Sequence, residues 1–67
     1  MKVPKYAVLL LDRNVKLPIE KLHFETKQVT LQEKANVYNT VSVQNVSFDF
    51  SDLTNNEIEI FKRAFNI

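Results

Sequence analysis

Apolar and polar residues alternate along most of this chain with the two-residue period of a half-buried strand. The first apolar stretch departs from that period, because Tyr6-Ala7-Val8-Leu9-Leu10-Leu11 is continuous. A short continuous run bounded by turn signals predicts a central strand covered on both faces, or one whose far face meets a partner. Pro4 opens it and Asp12-Arg13-Asn14 stops it, which favours strand over helix. Asn14 tolerates the left-handed region, so Asp12–Asn14 is expected as a three-residue hairpin loop. Val15, Leu17 and Ile19 then alternate with Lys16, Pro18 and Glu20. Pro18 cannot donate to a ladder, which places this strand on an edge. Leu22 and Phe24 continue the alternation, and Val29 and Leu31 resume it in the opposite phase, so a bulge or turn is expected in Thr26-Lys27-Gln28.

Residues 31–36 are ambiguous between a loop and one helical turn. Thr30 and Glu33 have capping-box spacing, but Lys34 cannot staple to Val29, and a loop is preferred. Val37, Val41 and Val43 occupy odd positions, and Val46, Phe48 and Phe50 even ones. The phase change across Gln44-Asn45 implies either a two-residue hairpin or one long bulged strand. The last element is the most strongly marked. Thr54 stands three residues before Glu57, Leu53 and Ile58 have staple spacing, and Ile58, Phe61 and Phe65 share one helical face with Ala64 beside them. Lys62 and Arg63 sit where the helix dipole favours cations. The sum is an α+β fold in a single domain over residues 1–67. It is a small antiparallel sheet of four to five strands with one C-terminal helix, residues 53–65, on one face, and Phe24, Phe48, Phe50, Phe61 and Phe65 fill much of the core.

Composition narrows the chemistry. A chain of 67 residues buries only about 60% of its unfolded surface. It has no cysteine, no glycine and one histidine. That excludes disulfide frameworks, thiolate or multi-histidine metal sites and glycine-rich phosphate loops. Asp49, Asp52, Asn55 and Asn56 are oxygen-rich but lack calcium-loop spacing, so no metal and no cofactor is expected. No apolar run approaches the length of a membrane span, and no cleavage signal follows the first strand; a cytoplasmic protein with no membrane partner is expected. Net charge is +1, with residues 1–35 at +3 and residues 36–67 at −2. Lysine outnumbers arginine seven to two and there are seven asparagines, a bias that suits an AT-rich genome.

Three constellations could carry function. His23 and Glu25, two apart, would share a strand face as an acid–base pair, with Lys21 and Lys27 nearby; a solvated strand face with one ordinary histidine is the preferred reading. Tyr38, Thr40 and Ser42 line the face opposite Val37, Val41 and Val43, and Tyr6 can join them; a tyrosine beside lysines on an open sheet could stack an unpaired base. Tyr6, Val8 and Leu10 belong to a run too apolar for one short helix to cover.

Two segments resemble known families. Asp12–Glu20 is similar to the swapped-hairpin signature of AbrB-type DNA-binding regulators, without the glycine that precedes the arginine there. The strand ending at Phe50, followed by Leu53-Thr54-Asn55-Asn56-Glu57 and the helix, resembles the end of single-strand DNA-binding domains of the transcriptional-coactivator type, which are sheet-plus-helix dimers. No site residue carries over from either.

The leading expectation is a small non-enzymatic protein-interaction module. It would be a phage- or plasmid-type accessory or regulatory protein that binds and modulates a host protein, as an inhibitor for instance, and pairs with itself as a homodimer through an edge strand or open sheet face. The partner-binding candidates are Tyr6, Val8, Leu10, Lys16, Lys21, His23, Lys27 and Tyr38. The alternative is a single-stranded nucleic-acid binder using the basic N-terminal half and the sheet tyrosines, against which the low net charge weighs.

Overall fold

A computed structural model describes residues 1–67. It contains five strands, β1 (Tyr6–Leu9), β2 (Asp12–His23), β3 (Gln28–Lys34), β4 (Val37–Ser42) and β5 (Val46–Phe48), followed by one helix, α1 (Asn55–Phe65). All pairings are antiparallel, and the strand order is β4-β3-β2-β1-β5. The α+β class, the antiparallel sheet and the single C-terminal helix agree with the sequence pattern.

The sheet must curl. β4 and β5 are its two edges, yet only a single 3-10 turn, Val43–Asn45, joins them. The chain from Ser42 to Val46 reaches about 14 Å at most. The outer strands of a flat five-stranded sheet stand about 19 Å apart. The two edges are therefore drawn together at this end, and the sheet coils toward a barrel without β4 and β5 pairing. This turn replaces the hairpin or bulged strand expected across Gln44-Asn45. Its residues are held from both sides, since Val43 N–H donates to Lys27 O (3.0 Å) and Leu10 N–H donates to Asn45 O (3.0 Å).

β2 is not an edge strand. Its first half, to Pro18, pairs with β1, and its second half, from Ile19, pairs with β3. Ile19 N–H donates to Lys5 O on the β1 side (2.9 Å). Backbone groups alternate, so the Pro18 nitrogen faces β3, whose ladder begins one residue later. Proline is tolerated at that handover because no ladder bond is due there. Asp12–Glu20 accordingly lies within one long strand. A bulge at Glu20 switches the inward positions of β2 from Leu17 and Ile19 to Leu22, with Phe24 following in the turn.

Three other boundaries shift. The first reversal is at Leu10–Leu11 and not at Asp12–Asn14, because Leu9 already pairs with Asp12. Residues 31–36 form neither a loop nor a helical turn; β3 runs to Lys34, and Ala35–Asn36 closes a two-residue hairpin with Asn36 left-handed (φ 61°). The turn expected near Thr26-Lys27-Gln28 spans Phe24–Lys27, with Lys27 left-handed (φ 56°).

The core lies inside the curl and under α1. Ala7, Leu17, Val29, Leu31, Val46 and Phe48 from the sheet and Val43 from the 3-10 turn meet Phe61 and Phe65 of the helix. Phe24 and Phe50 pack against them, so all five phenylalanines form one aromatic cluster, with Phe24 and Phe65 closest at 4.4 Å between centroids. Thr54 Oγ1 accepts from Glu57 N–H (3.2 Å), and Thr54 N–H donates to Glu57 Oε1 (2.9 Å), a complete capping box. At the other end Asn66 is left-handed (φ 58°), and Ile67 and Asn66 N–H donate to Lys62 and Arg63 carbonyls, closing the helix with a Schellman pair. No helix is long and apolar enough to cross a membrane.

Candidate functional site

The curl leaves a seam between β4 and the β1–β2 turn, and the turn's sequence shapes it. Leu10 and Leu11 occupy the two turn positions, neither with positive φ. Two-residue hairpins favour primed turns, whose twist matches that of the strands. An unprimed turn splays them, and the ladder slips at once: Leu9 faces Asp12, but Val8 faces Lys16, so Arg13, Asn14 and Val15 bulge out. The Asp12 carboxylate accepts Asn14 N–H (3.3 Å) inside that bulge. Leu10 is left 38% exposed and Leu11 fully exposed, an apolar tip in a position where polar residues are usual.

Across the seam stand Asn39 and Val41 of β4. They pair with the core residues Leu31 and Val29, and cross-strand partners share a face, so both side chains lie on the concave side. Leu9, Leu10, Leu11, Asn39, Val41 and Asn45 line a groove of about 450 Å³. Its lining contains no charged residue. The only polar side chains are two amides, and Asn39 makes a long contact (3.5 Å) from Nδ2 to Glu33 Oε1.

One wall of the groove is an unpaired strand edge. Val43 N–H points at Lys27 O of the β3 side, so by alternation Val41 and Asn39 direct their backbone groups inward to β3. Thr40 and Tyr38 direct theirs outward, where no strand follows β4. β4 carries no charge, no proline and no bulge of its own, since the slip in the β3–β4 ladder is at Glu33 of β3. Charge is absent from Ala35 through Phe48, the longest uncharged stretch in the chain. The opposite edge, β5, is three residues long.

The residues singled out from the sequence do not converge on one place. Tyr6, Val8 and Lys16 lie together on the convex face of β1 and β2. Lys16 Nζ sits 5.8 Å from the Tyr6 ring centroid and 3.1 Å from Asp49 Oδ2. Asp49 is held below its ordinary carboxyl value first by Ser51 N–H, which donates to Oδ1 (3.1 Å), then by the Ser51 hydroxyl and Lys16. Lys21 and His23 share the same convex face further along β2. His23 Nε2 is 2.8 Å from Thr30 Oγ1, which is 2.7 Å from Thr40 Oγ1, a polar ladder across β2, β3 and β4. Glu25 does not share that face, because β2 ends at His23 and Glu25 falls in the turn. Lys27 lies at the end of that turn. Tyr38 lies on the outer edge strand, half exposed, and Leu10 alone reaches the groove.

Sequence reasoning missed Leu9, Leu11, Asn39, Val41 and Asn45 as a group. Two signals pointed to them: an apolar pair at a chain reversal, and a strand with no charge on either face. No protein-family model matches the chain, and no curated protein and no solved structure matches it.

Proposed function

We propose that this protein is a small non-enzymatic protein-interaction module that engages its partner along the outer edge of β4 and the groove beside it. The observation that carries the reading is the unguarded edge. Exposed strand edges are normally blunted by charge, proline, bulges or brevity, and β4 has none of these. An incoming extended segment would gain backbone hydrogen bonds from Thr40 and Tyr38 and place apolar side chains among Leu9, Leu10, Leu11 and Val41. The lysine- and asparagine-rich composition suits an AT-rich genome, the ground on which the chain is read as an accessory protein of phage or plasmid type.

Nucleic-acid binding has less support. Lys16 is paired with Asp49 and lies over Tyr6, one of the two tyrosines that would stack a base. Phosphate neutralisation dominates such binding, and the net charge is only +1. Acid–base chemistry has less still, because His23 bonds to a threonine hydroxyl and makes no hydrogen bond or ion pair with a carboxylate.

The test is capture from a bacterial lysate with wild-type protein and with Thr40→Pro, alongside titration of a labelled single-stranded oligonucleotide at low and high salt. A protein held by the wild type and released by Thr40→Pro supports the reading. Oligonucleotide binding that weakens with salt and survives Thr40→Pro would overturn it.

A further inference from the structure

Resting on that reading of β4, we infer that the occupant of this edge and groove is a second copy of the same chain, with the two β4 strands pairing antiparallel about a twofold axis. A twofold interface must be self-complementary: whatever projects from the surface must find its recess on that same surface. The Leu10–Leu11 turn meets this condition, because the fully exposed Leu11 borders the groove it would fill in the other copy.

Register follows from the backbone. The groups free to pair belong to Tyr38, Thr40 and Ser42, and only an axis on Thr40 pairs all three. Thr40 then faces Thr40 of the second copy, with each N–H donating to the other's carbonyl. Asn39 faces Val41 on the groove side, and Tyr38 faces Ser42 on the convex side. A twofold axis sets a strand against itself, and like charges directly opposite one another are unfavourable. β4 has none to oppose, and neither does any residue from Ala35 to Phe48. A different protein would more readily be selected by complementary charges, and the groove lining carries none. The net charge of +1 leaves little long-range repulsion between copies. The chain also has reason to pair, since only 11 of its 67 residues are buried.

Sedimentation equilibrium over a wide concentration range, with wild type, Thr40→Pro and Leu11→Asp, tests the inference. Wild type should reach twice the chain mass. Thr40→Pro removes the central donor of the inter-copy ladder without removing a backbone bond inside the chain, at the cost of the Thr40 Oγ1–Thr30 Oγ1 bond, and Leu11→Asp places a carboxylate in the partner's groove. Each should weaken association at least tenfold while far-ultraviolet circular dichroism stays that of the folded chain. Leu11→Asp keeps the test decisive if Thr40→Pro disturbs β4, because Leu11 is fully exposed in the single chain. A monomer at every concentration, or a dimer unmoved by both substitutions, overturns the inference. The broader reading is judged separately by edge-dependent capture: a monomeric protein that still loses a lysate partner on Thr40→Pro refutes the second copy and keeps β4 as a protein-binding edge.

Discussion

Phe48 of β5 and Phe61 of α1 meet edge to face, with ring centroids 5.0 Å apart and planes at 82°. Phe61 also contacts Phe24, Phe50 and Phe65, so one fully buried ring joins the helix to the end of β2, to β5 and to the segment after it. Truncating a buried phenylalanine costs about 3–5 kcal/mol through lost transfer energy and the cavity left behind. Phe61→Ala should therefore remove most or all of the stability of a domain this small, for which a single core supplies about 3–5 kcal/mol. Urea unfolding followed by circular dichroism checks it. A midpoint unchanged from wild type would mean that the helix is not docked on the sheet.

The capping box yields a smaller and more specific effect. Thr54 Oγ1 accepts from Glu57 N–H at the start of α1, and Glu57 Oε1 accepts from Thr54 N–H in return. Thr54→Ala should cost about 1 kcal/mol, and Thr54→Asp, which restores an acceptor, much less. A melting series over the three proteins resolves the order. An alanine variant as stable as wild type would remove the cap from the list of what holds the helix.

That helix was legible in the sequence because its signals are local: four residues from Thr54 to Glu57 carry the cap, and Ile58, Phe61 and Phe65 carry the face. The strands were legible as strands for the same reason. Their neighbours were not, because pairing depends on residues far apart in the chain. Pro18 was misplaced to an edge since nothing local tells which side of a long strand is paired at a given residue. Gln44-Asn45 was misread because a 3-10 turn linking opposite edges of a curled sheet changes the apolar phase just as a hairpin does. The Glu20 bulge did leave a trace, the shift from odd Leu17 and Ile19 to even Leu22 and Phe24. The groove left almost none: it exists only where the curl brings Leu9–Leu11 opposite Asn39 and Val41.

Two carboxylates should make the fold sensitive to acid. Asp49 accepts from Ser51 and pairs with Lys16, and Glu57 accepts from Thr54 N–H, so each carboxyl is held below its ordinary value. A carboxyl with a lowered folded-state pKa contributes stability that is fully present above its unfolded-state value and is lost as pH falls toward the folded-state value. Melting temperature should thus hold steady at neutral pH and fall as pH drops below about 4, the ordinary carboxylate range. Asp49→Asn and Glu57→Gln should each flatten that fall, and the double variant should flatten it further, since the two groups lie on separate elements. Melting curves at stepped pH read the slope directly. Variants that parallel wild type through the acid range would show that neither carboxyl is linked to folding.

The backbone supplies the last prediction. Three residues adopt positive φ, and with no glycine in the chain they are Lys27, Asn36 and Asn66. Asparagine tolerates the left-handed region because its short polar side chain bonds locally, whereas a lysine Cβ crowds the following carbonyl at a cost of about 1–2 kcal/mol. Lys27 is held there because its carbonyl accepts Val43 N–H, which anchors the 3-10 turn joining the two sheet edges. Lys27→Gly should relieve the crowding and give back part of it as the greater freedom of glycine in the unfolded chain, about 0.5–1 kcal/mol. The net expectation is a gain of about 0.5–1 kcal/mol, with Lys27→Asn gaining less and Lys27→Ala nothing. Chemical denaturation of the four proteins ranks them. A glycine variant less stable than wild type would mean that the lysine side chain itself supports the turn, and the strain argument for this position would fail.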